Sequence, residues 1–86
     1  MIIVTNKLFN KAYVRLPDKV KQQLKERRDL FLQNPYDPIL RNHPLLGKYS
    51  GYRSINITGD YRVIYKLLDE QTALFARVGT HSQLYK

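Results

Sequence analysis

Apolar residues recur at three- and four-residue spacing through Leu8, Phe9, Ala12, Tyr13 and Leu16, a period that gathers them on one face of a helix. Thr5 or Asn6 precedes that run as a cap, able to accept an amide proton left free in the first turn. Ahead of it, Ile2 to Val4 reads as a short strand. Pro17 and Asp18 then break and restart the chain, since proline suits a first helical turn and aspartate accepts amide protons there. In "KVKQQLKERRDLFLQN" (residues 19–34), Val20, Leu24 and Phe31 share one side while charge covers most of the rest. That pattern predicts a second helix ending before Pro35.

After Gly51 the composition changes. "YRSINIT" (52–58), "YRVIYKLL" (61–68) and "TALFARVG" (72–79) are rich in β-branched and aromatic residues. Gly59-Asp60 and Asp69 to Gln71 supply tight turns between them, so three antiparallel strands in a meander are expected. The intervening "NPYDPILRNHPLLGKYSG" (34–51), punctuated by three prolines and two glycines, reads as a loop. The expected order is β-α-α-β-β-β: an α+β fold in which two helices pack on one face of a small curved antiparallel sheet. The opposite face is left uncovered.

Eighty-six residues form one domain, 1–86, near the lower size limit for an independent core. The hydrophobic share, 43%, supplies that core and argues against disorder. With no cysteine, neither disulfides nor thiolate metal sites can support the fold. The amino-terminal residues lack the basic start and apolar stretch of a signal peptide, and no run approaches the about 20 apolar residues needed to span a bilayer. A soluble cytoplasmic protein is the expectation. Charge sharpens this: 15 Lys and Arg against 7 acids give +8, a potential that attracts polyanions, nucleic acid foremost.

The residues able to move protons are few. His43 and His81 are the two histidines, and Asp60 occupies the turn between the first two meander strands. All three are expected in loops beside the sheet. RNA cleavage needs a base for the 2′-hydroxyl, an acid for the departing 5′-oxygen and cations for the phosphate. Imidazole serves either proton role near neutrality, and arginine grips phosphate in a bidentate manner. Each residue also has a structural reading. His43 before Pro44 suits a loop residue making one backbone hydrogen bond, Asp60 after Gly59 suits a hairpin turn, and Tyr85 can anchor the tail. No H-x3-H or HExxH spacing marks a metal site, and no glycine loop cradles phosphate. The residues by themselves support a basic α+β domain with a candidate acid–base cluster.

The motifs "HPLLG" (43–47), "GYR" (51–53), "GDYRVIYK" (59–66) and "GTHSQLY" (79–85) resemble those of the RelE/ParE superfamily of bacterial toxins, most closely its YafQ-like branch of RelE-type mRNA endonucleases. They cover about half the chain, and the histidine-bearing pair is more specific than "YRVIY", which belongs to the whole superfamily. The resemblance implies a RelE-like fold and metal-independent mRNA cleavage with no cofactor, commonly on a translating 70S ribosome. It also implies neutralisation by a cognate antitoxin. His43, Asp60 and His81 fall at active-site positions of that branch, and Tyr85 falls where relatives place a Phe or Tyr near the scissile nucleotide. Tyr61 stands at a position often occupied by Trp, and Arg62 matches an arginine used on the phosphate by RelE itself. Asn56 departs from the pattern, standing where close relatives carry another histidine. Its amide can hydrogen-bond a ribose or phosphate oxygen but cannot shuttle a proton.

On this reading His81 is the general acid and Tyr85 contacts a flanking nucleotide. His43 and Asp60 orient or deprotonate the 2′-hydroxyl, while Lys48 and Arg62 hold the phosphate with Asn56 assisting. Two other functions share the fold: a ParE-like inhibitor of DNA gyrase, and a non-catalytic RNA or ribosome binder. The His43–Asp60–His81 set separates the nuclease from a protein that only binds gyrase.

Overall fold

A computed structural model describes residues 1–85. Strand β1 (Ile2–Thr5) leads into helix α1 (Lys7–Val14) and helix α2 (Asp18–Gln33). A single 3-10 turn (Pro38–Leu40) precedes a two-residue strand, β2 (His43–Pro44), and a second 3-10 turn spans Gly47–Tyr49. Strands β3 (Arg53–Asn56), β4 (Tyr61–Asp69) and β5 (Thr72–Thr80) follow, and the last described element is the one-turn helix α3 (His81–Leu84). The strands form one sheet in the order β1-β5-β4-β3-β2, with β1 parallel to β5 and every other pair antiparallel.

Local chemistry accounts for the helix starts. Asn6 Oδ1 accepts the Phe9 amide at 2.8 Å and caps α1. Helix α2 begins at Asp18 with Pro17 as its cap residue and no side-chain capping bond from it, so Asp18 contributes its charge in the first turn. Val20, Leu24 and Phe31 are all buried, as their spacing in α2 predicts, whereas Leu8 in α1 faces outward. Phe31 organises the layer between helices and sheet, meeting Tyr65 edge-on at 4.9 Å and Phe75 at 5.5 Å. Val63, Tyr65 and Phe75 supply the sheet side of this core, and Leu40 from the connecting segment joins it.

The structure departs from the expected fold in three places. Strand β1 pairs in parallel with β5, so the sheet is mixed and not antiparallel throughout. The proline-rich stretch contributes an edge strand, where Pro44 is tolerated because an edge needs no second amide donor. The sheet face opposite α1 and α2 is not bare. Tyr49, Ile64 and Leu84 form a second, smaller cluster on it, with Leu45, Tyr52 and Tyr85 packed around them. Strand alternation explains the split: Val63 and Tyr65 point to the main core while Ile64 between them points to the second cluster. Helix α3 lies over this second face, and Gly79 leaves room for the capping Gln83 side chain, whose Oε1 a Cβ there would meet at 2.8 Å. A reciprocal cap starts the helix, with Thr80 Oγ1 accepting the Gln83 amide and Gln83 Oε1 accepting the Thr80 amide. Among the described residues no helix is long and apolar enough to cross a membrane.

Candidate active site

What remains open on the second face is a cleft of about 360 Å³ lined by Arg41, His43, Leu45, Asn56, Arg62, His81 and Tyr85. Four segments contribute. Cross-strand pairing sets the middle of it: Asn56 of β3 is opposite Arg62 of β4, and Arg62 Nη1 donates to Asn56 Oδ1 at 2.7 Å. Strand β2 brings His43 opposite Ser54, on the face that also carries Asn56. Helix α3 supplies His81 and its C-cap residue is Tyr85, an i, i+4 pair whose rings lie 4.7 Å apart. The two arginines in the lining face no carboxylate within it, so the cleft is electropositive.

His43 is exposed, and its Nδ1 lies 2.8 Å from the carbonyl oxygen of Arg41. A carbonyl only accepts, so Nδ1 carries the proton and donates it. Neutral imidazole then presents a bare Nε2 lone pair. The single backbone hydrogen bond expected of a loop histidine is also what orients this ring as a proton acceptor. Arg41 adopts a left-handed backbone, φ 48°, to aim its carbonyl at the ring. Asn42, between them, anchors the segment from beneath. Its Nδ2 donates to Pro35 O at 2.8 Å and to the Tyr65 hydroxyl at 2.7 Å, and its Oδ1 accepts from Arg53 Nε at 2.7 Å.

His81 opens α3, and its amide donates to the Asp60 carbonyl at 3.2 Å. The β3–β4 turn is thereby tied to the start of α3 through backbone atoms. Asp60 itself is exposed and does not line the cleft. Nor does its carboxylate organise the turn: Thr58 Oγ1 does, accepting the amides of Asp60 and Tyr61. Pairing of a carboxylate with the two histidines in one cleft, expected from the sequence, is therefore not what the fold builds. Tyr61 also lies elsewhere. One residue out of step with Arg62, it turns to the helix side and packs against the main core. Lys48 is exposed, with its ammonium 5.1 Å over the Tyr49 ring, outside the cleft lining.

The sequence reading omitted Arg41 and Leu45, which line the cleft. Alternation about β2 places Leu45 on the side of His43, whereas Arg41 reaches the cleft through its left-handed turn, which carries no sequence signal here. A larger groove of about 550 Å³ between α1 and α3 contains neither histidine and is lined mainly by apolar groups, with Lys11, Arg15 and Arg77 among the lining residues. Among the described residues no group of three or more His, Asp or Glu is placed to hold a metal ion.

Comparisons with known proteins bear on the family and the fold. A family described as bacterial toxin of type II toxin-antitoxin system, YafQ, matches residues 1–86. The mRNA interferase toxin YafQ of Escherichia coli K12 is 36% identical over 69 residues, spanning 78% of this chain and 74% of that protein. The crystal structure of YafQ from E. coli BL21(DE3) superposes with a TM-score of 0.80 at 31% identity, covering 99% of this chain and 98% of that one. YafQ in an E. coli DinJ–YafQ toxin–antitoxin complex superposes at 0.77 with 31% identity, covering 99% of this chain and 97% of that one.

Proposed function

The chain belongs to the YafQ family of type II toxin–antitoxin toxins, and from that premise we propose that its cleft cleaves mRNA by acid–base chemistry through the RNA's own 2′-hydroxyl. The protein is an mRNA endoribonuclease toxin, and its partner is a cognate antitoxin.

His43 Nε2 takes the 2′-hydroxyl proton as the 2′-oxygen attacks phosphorus. Arg62, steadied by Asn56, and Arg41 bear the negative charge that accumulates on the non-bridging oxygens. As the P–O5′ bond breaks, His81 gives its proton to the leaving oxygen, so the products are a 2′,3′-cyclic phosphate and a 5′-hydroxyl. Tyr85 stacks on a flanking base, a contact worth about 1–3 kcal/mol. Asp60 acts at a distance, its carbonyl fixing the amide of His81. Lys48 and Tyr61 take no part at the reacting atoms. DNA has no 2′-hydroxyl and is not a substrate for this route. The translating 70S ribosome presents the message in single-stranded form, which suits a cleft this shallow.

The observation that carries this reading is the 2.8 Å contact of His43 Nδ1 with the Arg41 carbonyl, which turns Nε2 outward, in the same cleft as His81 and Arg62. Induced expression in a bacterium, followed by mapping of mRNA 5′ ends, tests it. Cuts at fixed codon positions are expected, and arrest of translation with intact messages would overturn it. His81→Ala is expected to lose on the order of 10²–10⁴-fold in cleavage rate.

A further inference from the structure

Tyr49 plays no part in the chemistry above, yet it touches the carboxyl end of α3 and the Tyr85 ring that follows it. It is 8% exposed. Its hydroxyl donates to the Leu84 carbonyl at 2.9 Å and accepts from Arg77 Nη1 at 3.2 Å. A carbonyl only accepts and a guanidinium only donates, so both partners fix the direction of the O–H. Leu84 closes α3, where carbonyls have no partner within the helix. The Tyr49 ring meets Tyr85 edge-on at 5.8 Å, and Tyr85 in turn lies against His81 at 4.7 Å.

A four-residue helix has no stability of its own. Its amino end is held by the Thr80–Gln83 cap and the Asp60 carbonyl; its carboxyl end is held by Tyr49. Tyr49 sits five residues after β2, the strand that carries His43. The hydroxyl thus joins the segment bearing one imidazole to the segment bearing the other.

We propose that Tyr49 is a positioning residue: its hydroxyl, aimed by Arg77, clamps α3 over the cleft and sets His81 and Tyr85 relative to His43. The inference rests on the reading of His81 as general acid. A displacement of about 1 Å in a proton donor can cost about 100-fold in rate, whereas substrate binding by the arginines is untouched.

Tyr49→Phe removes one oxygen and keeps the ring. With programmed 70S ribosomes presenting mRNA, the expected result is a kcat lower by about 10- to 100-fold, with a smaller rise in KM as Tyr85 shifts against the flanking base. The His81 imidazole proton resonances should shift as the ring moves against Tyr85. A message with sulfur in place of the bridging 5′-oxygen has a leaving group that needs no proton, so Tyr49→Phe and His81→Ala should both approach the parent rate on it. Arg77→Met, which frees the hydroxyl without touching the aromatic cluster, should shift the His81 resonances in the same sense. Unmoved His81 resonances in Tyr49→Phe, or a loss confined to KM, would overturn the clamp. Failure of sulfur to rescue His81→Ala would instead overturn the general-acid reading, and the resonance shift would still decide the role of Tyr49.

Discussion

The imidazole of His43 donates from Nδ1 to the backbone carbonyl of Arg41, two residues upstream, across 2.8 Å. That bond selects the tautomer with a free Nε2, and it predicts how substitutions divide. His43→Gln keeps a hydrogen-bonding amide of similar reach but cannot accept a proton in the transition state. Single-turnover cleavage should fall on the order of 10²–10⁴-fold, while RNA binding measured in the absence of cleavage stays close to the parent. Parent-like turnover in His43→Gln would remove His43 as the base.

Asn42 is the hub under His43. Replacing it with Ala leaves the Tyr65 hydroxyl, Arg53 Nε and the Pro35 carbonyl without their partner. Unsatisfied groups in a half-buried site cost about 1–3 kcal/mol, so Asn42→Ala should lower the denaturant midpoint by that equivalent. It should also reduce cleavage more than the stability loss accounts for, because residues 41–43 lose their anchor. An unchanged midpoint would show that the network adds nothing to the fold.

Arg62 and Asn56 are expected to act as one unit. Asn56→Ala removes the acceptor at 2.7 Å and lets the guanidinium swing, and Arg62→Ala removes the charge altogether. A double-mutant cycle on kcat/KM should therefore be non-additive, with a coupling of about 0.5–3 kcal/mol. Strict additivity would mean that Asn56 works independently of Arg62, on the ribose or phosphate.

Gly79 is constrained by what lies above it. An added Cβ would fall 2.8 Å from Gln83 Oε1, the atom that accepts the Thr80 amide in the cap of α3. Gly79→Ala should displace Gln83 and cost about 0.5–2 kcal/mol, the range for a lost cap. Activity should fall with it, as α3 carries His81 and Tyr85. Thr80→Ala, which removes the other half of the cap, should reproduce the effect without adding bulk. Parent-like activity in both variants would disconnect the cap from the site.

How far the sequence reaches is visible at individual residues. Val20, Leu24 and Phe31 announce their helix face by spacing alone, and the turn at Asp69 to Gln71 forms where expected, with Asp69 Oδ1 accepting the Gln71 amide at 2.7 Å. The four-residue α3 carries no periodic signal, so the sequence predicts a third meander strand at 72–79 and no helix after it. Its cap, Thr80 with Gln83 three positions on, was the available clue. Tyr61 and Asp60 show the other limit. Resemblance assigns a residue to a position, but side-chain direction depends on strand register, and register turned Tyr61 to the core. The second cluster was illegible for the same reason: Tyr49, Ile64 and Leu84 meet only once strands β3, β4 and β5 are paired.

The last prediction concerns alkaline stability. Tyr65 is 2% exposed, and burial pushes its phenol above the ordinary value near 10. The hydrogen bond from Asn42 and the charge of Arg53 oppose that rise without cancelling it. The folded protein therefore holds this proton to higher pH than the unfolded chain does. Below about pH 10 both states are protonated and the contribution is fully present. Above it the unfolded chain ionises first, and stability falls by at most about 1.4 kcal/mol per pH unit until the raised folded value is passed. Tyr65→Phe should lose about 1 kcal/mol near neutrality, because the Asn42 amide loses an acceptor, and should flatten the decline above pH 10. Urea unfolding between pH 8 and 11 measures both effects. Equal alkaline slopes in the parent and Tyr65→Phe would assign the decline to other groups.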